Sequence, residues 1–232
     1  TIGASTSNAV TGNTANLTLN SGSAATNVNS ALNGIGTLGL GTASQTGAIT
    51  LNGVITADSV ITGSTAYNLV FNSGSSGSTI IGTSGSSTYS LVFSNTGTLT
   101  LNDGASDTFK VLGSLTVSAP SAVNLSGNIV TAGAMTIGSA LNLVSNTSLD
   151  STADSTGISG AGLGGNITVN GSVSTANSST LNVSAKAGNV TFANTVGGAG
   201  TNGGVVFNGN QWLYVDYVEP VTALTREVTF SS

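Results

Sequence analysis

The stretch "SLTVSAPSAVNLSGNIVTAGAMTIGSALNLVS", residues 114–145, decides the fold. Within it "SLTVSA" (114–119), "AVNLSG" (122–127), "AMTIGS" (134–139) and "ALNLVS" (140–145) are variants of one design. Apolar side chains stand two apart, as Leu115 and Val117 do, with a small or polar residue between them and Ser, Asn or Gly after. Period two closed by a turn residue describes a short strand with one buried face.

The same design recurs in both directions. Upstream it reads "NLTLN" (16–20), "TLGLG" (37–41), "AITLNG" (48–53), "NLVFN" (68–72), "SLVFSN" (90–95) and "TLTLN" (98–102). Downstream it reads "NITVNG" (166–171), "TLNVSA" (180–185), "NVTFAN" (189–194) and "GVVFNG" (204–209). Tyr67–Phe71 returns as Tyr89–Phe93, Leu91 as Leu115, and Leu115 as Met135, so the interval runs from 20 to 24 residues. That is the size of one coil of a solenoid. The spacing predicts an all-β fold, a single-stranded right-handed parallel β-helix, with a shaft over 1–207 and an aromatic-rich C-terminal cap or junction over 208–232.

In such a fold coils stack at about 4.8 Å, inward side chains form apolar columns, and the backbone pairs with the coils on either side. Gly and Asn suit the corners, Leu, Val and Ile the interior, and Thr the outer face. An antiparallel sandwich shares the alternation, but its two facing sheets call for more large residues to fill the space between them. This chain has six Phe, one Trp, one Met and 33 Gly. A leucine-rich repeat needs a fixed Leu/Asn framework, which is absent.

Composition narrows the chemistry. Charged residues make up 5%, the formal net charge is −5, and the basic residues Lys110, Lys186 and Arg226 are scattered. No cluster exists to neutralise phosphates, which argues against nucleic acid as a partner. The chain has no Cys and no His, so thiolate nucleophiles, imidazole bases and the commonest transition-metal ligands are excluded. No apolar run is long enough to span a membrane as a helix, and no signal-peptide pattern is present. Thr1 at the start suggests a processed or excised segment.

Few residues invite a chemical role. Asp103 and Asp107 in "LNDGASDTF", and Asp150 and Asp154 in "SLDSTADSTG", could hold a weak calcium ion or act as paired carboxylates. Neither pair has calcium-loop spacing, and solvated turn residues are the plainer reading. "GISGAGLGGN" (157–166) lacks the following Lys and helix of a phosphate loop, and reads as an enlarged corner that projects and could meet a partner. Thr98, Thr100 and Asn102 could form a flat outer ladder of the kind ice-binding solenoids use, although the irregular interval argues against it. Tyr67 and Tyr89, one interval apart, either stack as a sugar-binding strip or pack against a corner.

The tail "GGVVFNGNQWLYVDYVEPVTALTREVTFSS" departs from the small-residue code. Trp212, Tyr214, Tyr217 and Arg226 are candidate cap or partner contacts, because a solenoid end is an open sheet edge and such residues anchor interfaces. No cofactor and no catalytic set is expected.

Residues 131–200, "TAGAMTIGSALNLVSNTSLDSTADSTGISGAGLGGNITVNGSVSTANSSTLNVSAKAGNVTFANTVGGAG", resemble the filamentous haemagglutinin-like and autotransporter-type exoproteins of Gram-negative bacteria, and residues 14–130 do so more loosely. The family's N-terminal secretion-domain motif is not visible. The resemblance implies an extracellular shaft of an adhesin or cell-surface structural protein, secreted or surface-bound, meeting a ligand on a host or neighbouring cell. The alternatives are a self-assembling surface-layer or fibre subunit packing against copies of itself, and a polysaccharide-binding or polysaccharide-degrading solenoid.

Overall fold

The computed structural model describes residues 9–74, 77–84, 89–175 and 179–197, together with the backbone of the strands at 205–208, 213–215 and 228–231. The described residues are all β, with no helix. In chain order the strands begin with β1 (Val10–Thr11), β2 (Leu17–Leu19), β3 (Thr26–Val28), β4 (Leu32–Leu40), β5 (Ile49–Leu51) and β6 (Ile55–Thr62). They continue through β7 (Leu69–Phe71), β8 (Ser78–Ile81), β9 (Ser90–Phe93), β10 (Thr98–Leu101), β11 (Thr108–Val111) and β12 (Ser114–Val117). Next come β13 (Ala122–Thr131), β14 (Met135–Ile137), β15 (Ala140–Asp150), β16 (Ile167–Val169), β17 (Val173–Thr175), β18 (Leu181–Ser184) and β19 (Val190–Phe192). The last are β20 (Val205–Asn208), β21 (Leu213–Val215) and β22 (Val228–Ser231).

Strands consecutive in sequence seldom pair. Each pairs in parallel with a strand two or three steps away, and the chain thereby falls into three ladders of a curled, solenoid-like sheet. The first ladder joins β3, β5, β7, β10, the start of β13, the start of β15, and β17. A second runs through β1, β4, β6, β8, β11, the end of β13, the end of β15, β18, β20 and β22. A third runs from β2 through the end of β4 to β6, and again from β9 through β12, β14, β16 and β19 to β21.

Register produces the core. Ile49, Leu69, Leu99, Val123, Leu141 and Val173 align on the first ladder, and Leu91, Leu115, Met135, Ile167 and Val190 on the third. All are buried in one continuous cluster. No single winding can bury its inward face, so the apolar column stabilises the stack as a whole. Each fully buried Leu, Val or Phe contributes roughly 1.5–3 kcal/mol.

Interval lengths vary more than the sequence suggests, because the corners absorb the difference. Leu69 pairs with Leu99 and Leu143 with Thr175, whereas Leu125 pairs with Leu143. Tyr67 and Tyr89 therefore do not lie one winding apart. β7 belongs to the first ladder and β9 to the third, so the 22-residue recurrence compares two sides of the solenoid.

Asparagines fasten the corners in two ways. After the first-ladder strands, Asn72 Nδ2 donates to Asn52 Oδ1 at 2.7 Å and Asn52 Nδ2 to Asn29 Oδ1 at 2.8 Å, a stack of side-chain amides running across the windings. Before a strand, or within β15 in the case of Asn146, the side chain accepts a hydrogen bond from a backbone amide of the next winding. Asn16 Oδ1 accepts from Thr37 N, Asn68 from Thr98 N, Asn146 from Thr180 N and Asn166 from Asn189 N, all at 2.8–3.0 Å. Gly127 marks the bend inside β13, where φ is +64° and the register shifts, and a methyl group there would strike the Asp107 and Gly104 carbonyls.

Candidate functional site

The chemistry-bearing residues fall into three places: the corner after β10, the long excursion between β15 and β16, and the outward file of the third ladder.

At the first, Asn102 turns the chain with φ of +65° and donates through Nδ2 to the Ser126 carbonyl at 3.0 Å. Asp107 is buried, and its Oδ2 accepts from Gly104 N at 2.8 Å while Oδ1 accepts from Gly77 N of the preceding winding at 3.2 Å. Its carboxylate is thus a clamp between windings. Asp103 is exposed, yet partial desolvation raises its carboxyl above the usual range, and the hydrogen bond and negative charge of Asp107 push the same way.

The second place holds Asp150 and Asp154, and the local chain uses both. Asp150 Oδ1 accepts from Thr152 N at 2.8 Å and from Thr152 Oγ1 at 2.6 Å. Asp154 Oδ1 accepts from Thr156 N at 2.9 Å, Thr156 Oγ1 at 2.7 Å and Ile158 N at 3.0 Å. Each is an acidic side chain closing a turn over its own backbone. The Ile158 amide and the Thr156 hydroxyl hold the Asp154 carboxyl below its ordinary range. Among the described residues no three acidic side chains come together as a metal would require.

The glycine-rich stretch is an enlarged corner, as its composition suggests, largely exposed but tied to the body at Gly157 and through Lys186. Gly157 lies against the Lys110 and Leu112 side chains, and Ala153 is buried. Lys186 Nζ donates to the Gly160 carbonyl and, at 3.0 Å, to the Gly162 carbonyl, pinning the excursion to the winding that follows. Ile158, Ser159, Gly160, Ala161 and Leu163 are exposed to solvent.

On the third ladder Thr116, Thr136, Thr168 and Thr191 stand in register in consecutive windings, each half-buried and facing outward. This threonine file lies on other strands than Thr98 and Thr100. It is one residue wide, flanked by Ser114, Ala134, Asn166 and Asn189 on one side.

Tyr67 is 1% exposed and donates its hydroxyl to the Leu40 carbonyl. Burial pushes its phenol up to about 12. It is a core residue and offers no surface to a sugar. Tyr89 is half-buried on another ladder, packed against the core, with its hydroxyl accepting from Val60 N at 3.0 Å. The two tyrosines therefore form no common strip. Tyr214 stands on β21 in register with the outward-facing Thr191. Trp212, Tyr217 and Arg226 lie outside the described residues.

No helix among the described residues is long and apolar enough to cross a membrane. Comparison with protein-family models, with curated proteins and with solved structures gives no match to this chain.

Proposed function

We propose that the chain is a right-handed parallel β-helix serving as the shaft of an extracellular adhesin-like or structural protein of a bacterial cell surface, with no catalysis of its own. The observation that carries this reading is the register of the three ladders, which brings the inward residues of successive windings into one column while corner length varies freely. Right-handedness follows from the crossover rule, since parallel strands of one sheet are joined right-handedly in about 98% of cases. A stack held by backbone ladders and amide stacks is suited to separating a distal group from its anchor. Carboxylates employed in turns and clamps support a structural reading over a catalytic one.

Size-exclusion chromatography with negative-stain microscopy tests this shape and its consequences. A shaft gives monomeric rods at all accessible concentrations. Filaments growing end to end with concentration favour the assembling-subunit reading, and compact particles overturn both. Antibody labelling of intact against permeabilised source cells tests the location, with labelling of intact cells expected.

A further inference from the structure

The third ladder lapses once between β2 and β21. β6 belongs to the sixteen-stranded sheet and β9 begins the six-stranded one, although the two strands are neighbours in space. The same winding boundary is paired on the first ladder, through β5 and β7, and on the second, through β6 and β8. Between β6 and β9 themselves only side chains cross among the described residues, and backbone meets backbone again at the corner that follows, where Thr96 N donates to the Thr65 carbonyl at 3.0 Å. Val60 N donates to the Tyr89 hydroxyl at 3.0 Å, Ser94 N donates to Thr62 Oγ1 at 2.7 Å, and nearby Thr83 Oγ1 donates to Asp58 Oδ1 at 2.7 Å. The inward column changes here too, since Leu19 and Leu40 are followed by the buried hydroxyl residue Thr62 before Phe93 restores the apolar file.

We propose that this boundary is a built hinge, at which the third side of the solenoid opens while the first and second ladders stay paired. Backbone ladders are short and rigid, whereas a phenol and a threonine hydroxyl reach their partners through rotatable bonds and let go singly. Elements that move are drawn from the least stably held parts of a structure. Two latches, Tyr89 on Val60 and Thr62 on Ser94, hold the closed form. The inference rests on the strand registers and is independent of where the protein resides.

Amide exchange and spin labelling test it on the whole chain. Tyr89→Phe keeps the ring and removes the acceptor, so the Val60 amide is expected to exchange at least about ten-fold faster, with Leu38 and Leu115 unchanged. Thr62→Val is expected to do the same to the Ser94 amide. Paired nitroxides at Ile61 and Thr116 cross the boundary, while Thr116 and Thr168 span the same two windings, about 10 Å, within the continuous ladder. Dipolar broadening is expected to report a wider distance distribution for the first pair, widened further by Tyr89→Phe with Thr62→Val. Equal widths for the two pairs, or a Val60 amide indifferent to Tyr89→Phe, overturn the proposal.

Discussion

Phe71 and Phe109 meet edge to face with ring centroids 5.2 Å apart, although one comes from the first ladder and the other from the second. Phe93, from the third ladder, completes the group at 6.0 Å from Phe71 and 6.2 Å from Phe109. The three ladders thus converge on one aromatic layer. Truncating Phe109 to Ala is expected to cost about 3–5 kcal/mol, because the cavity opens where all three ladders meet. Urea denaturation of the variant beside the parent protein measures it.

Asn52 sits in the middle of its amide stack, donating to Asn29 and accepting from Asn72. Asn52→Ala removes both bonds and strands a donor on one side and an acceptor on the other. At roughly 1 kcal/mol per bond, a loss of about 2 kcal/mol is expected. A thermal melt, with Asn72→Ala as the single-bond control, checks the ratio.

Gly171 has no room for a side chain, since a methyl group there would collide with the Ser139 backbone and approach Ala140 N. Backbone atoms cannot rotate aside. Gly171→Ala is expected to destabilise by about 1–3 kcal/mol, and Gly138→Ala by less, because its nearest neighbour would be the Ser118 Cβ at 3.2 Å. Paired chemical denaturation curves decide the order.

The two perturbed carboxyls pull in opposite directions with pH. Asp103 has a raised folded pKa, so the folded state holds its proton more tightly than the unfolded one, and this contribution is lost as pH rises through the raised value. Asp103→Asn is therefore expected to be more stable than the parent at pH 7, with the gap closing below about pH 4. Asp154 has a lowered pKa, so its contribution is present above the unfolded value and lost as pH falls through the folded one. The Ile158 amide resonance is expected to hold steady at neutral pH and move only in strong acid. Denaturation midpoints across a pH series, and NMR of that amide, test the two signs.

Much of the first and third ladders was legible in the sequence. "NLVFN", "TLTLN", "SLTVSA" and "NITVNG" are strands where the period-two pattern predicts them, and the offsets from Leu91 to Leu115 to Met135 are true pairings. Most of the second ladder was not. Ala57, Thr79, Thr131 and Thr147 occupy buried positions there, so the apolar alternation is broken. The hydroxyls are satisfied locally, as when Thr79 bonds Ser73 at 2.9 Å and Thr131 donates to the Gly133 carbonyl at 2.7 Å, which makes the substitution tolerable in the core. β13 and β15 also pass from one ladder to the next within a single strand, β13 merely bending at Gly127.

At the candidate site, the sequence pointed to Asp103, Asp107, Asp150 and Asp154, and their use in turns and clamps is local chemistry that Asx–Gly and Asx–Thr spacing foreshadows. The Tyr89 latch could not be found that way. Its partner Val60 is 29 residues distant, at an offset that matches no repeat and depends on how much chain each corner absorbs.

Alignment of the windings along one axis is tested most directly by distance measurement on the outward file of the first ladder. Thr50, Val70, Thr100, Asn124, Asn142 and Ser174 stand in register. The chain has no cysteine, so spin labels can be placed pairwise on engineered ones. From Thr50 the separations to Thr100, Asn142 and Ser174 are expected to grow as about 10, 19 and 24 Å, a fixed step of about 4.8 Å per winding. Distances that fail to rise in that order would contradict the stacked arrangement from which every other conclusion here descends.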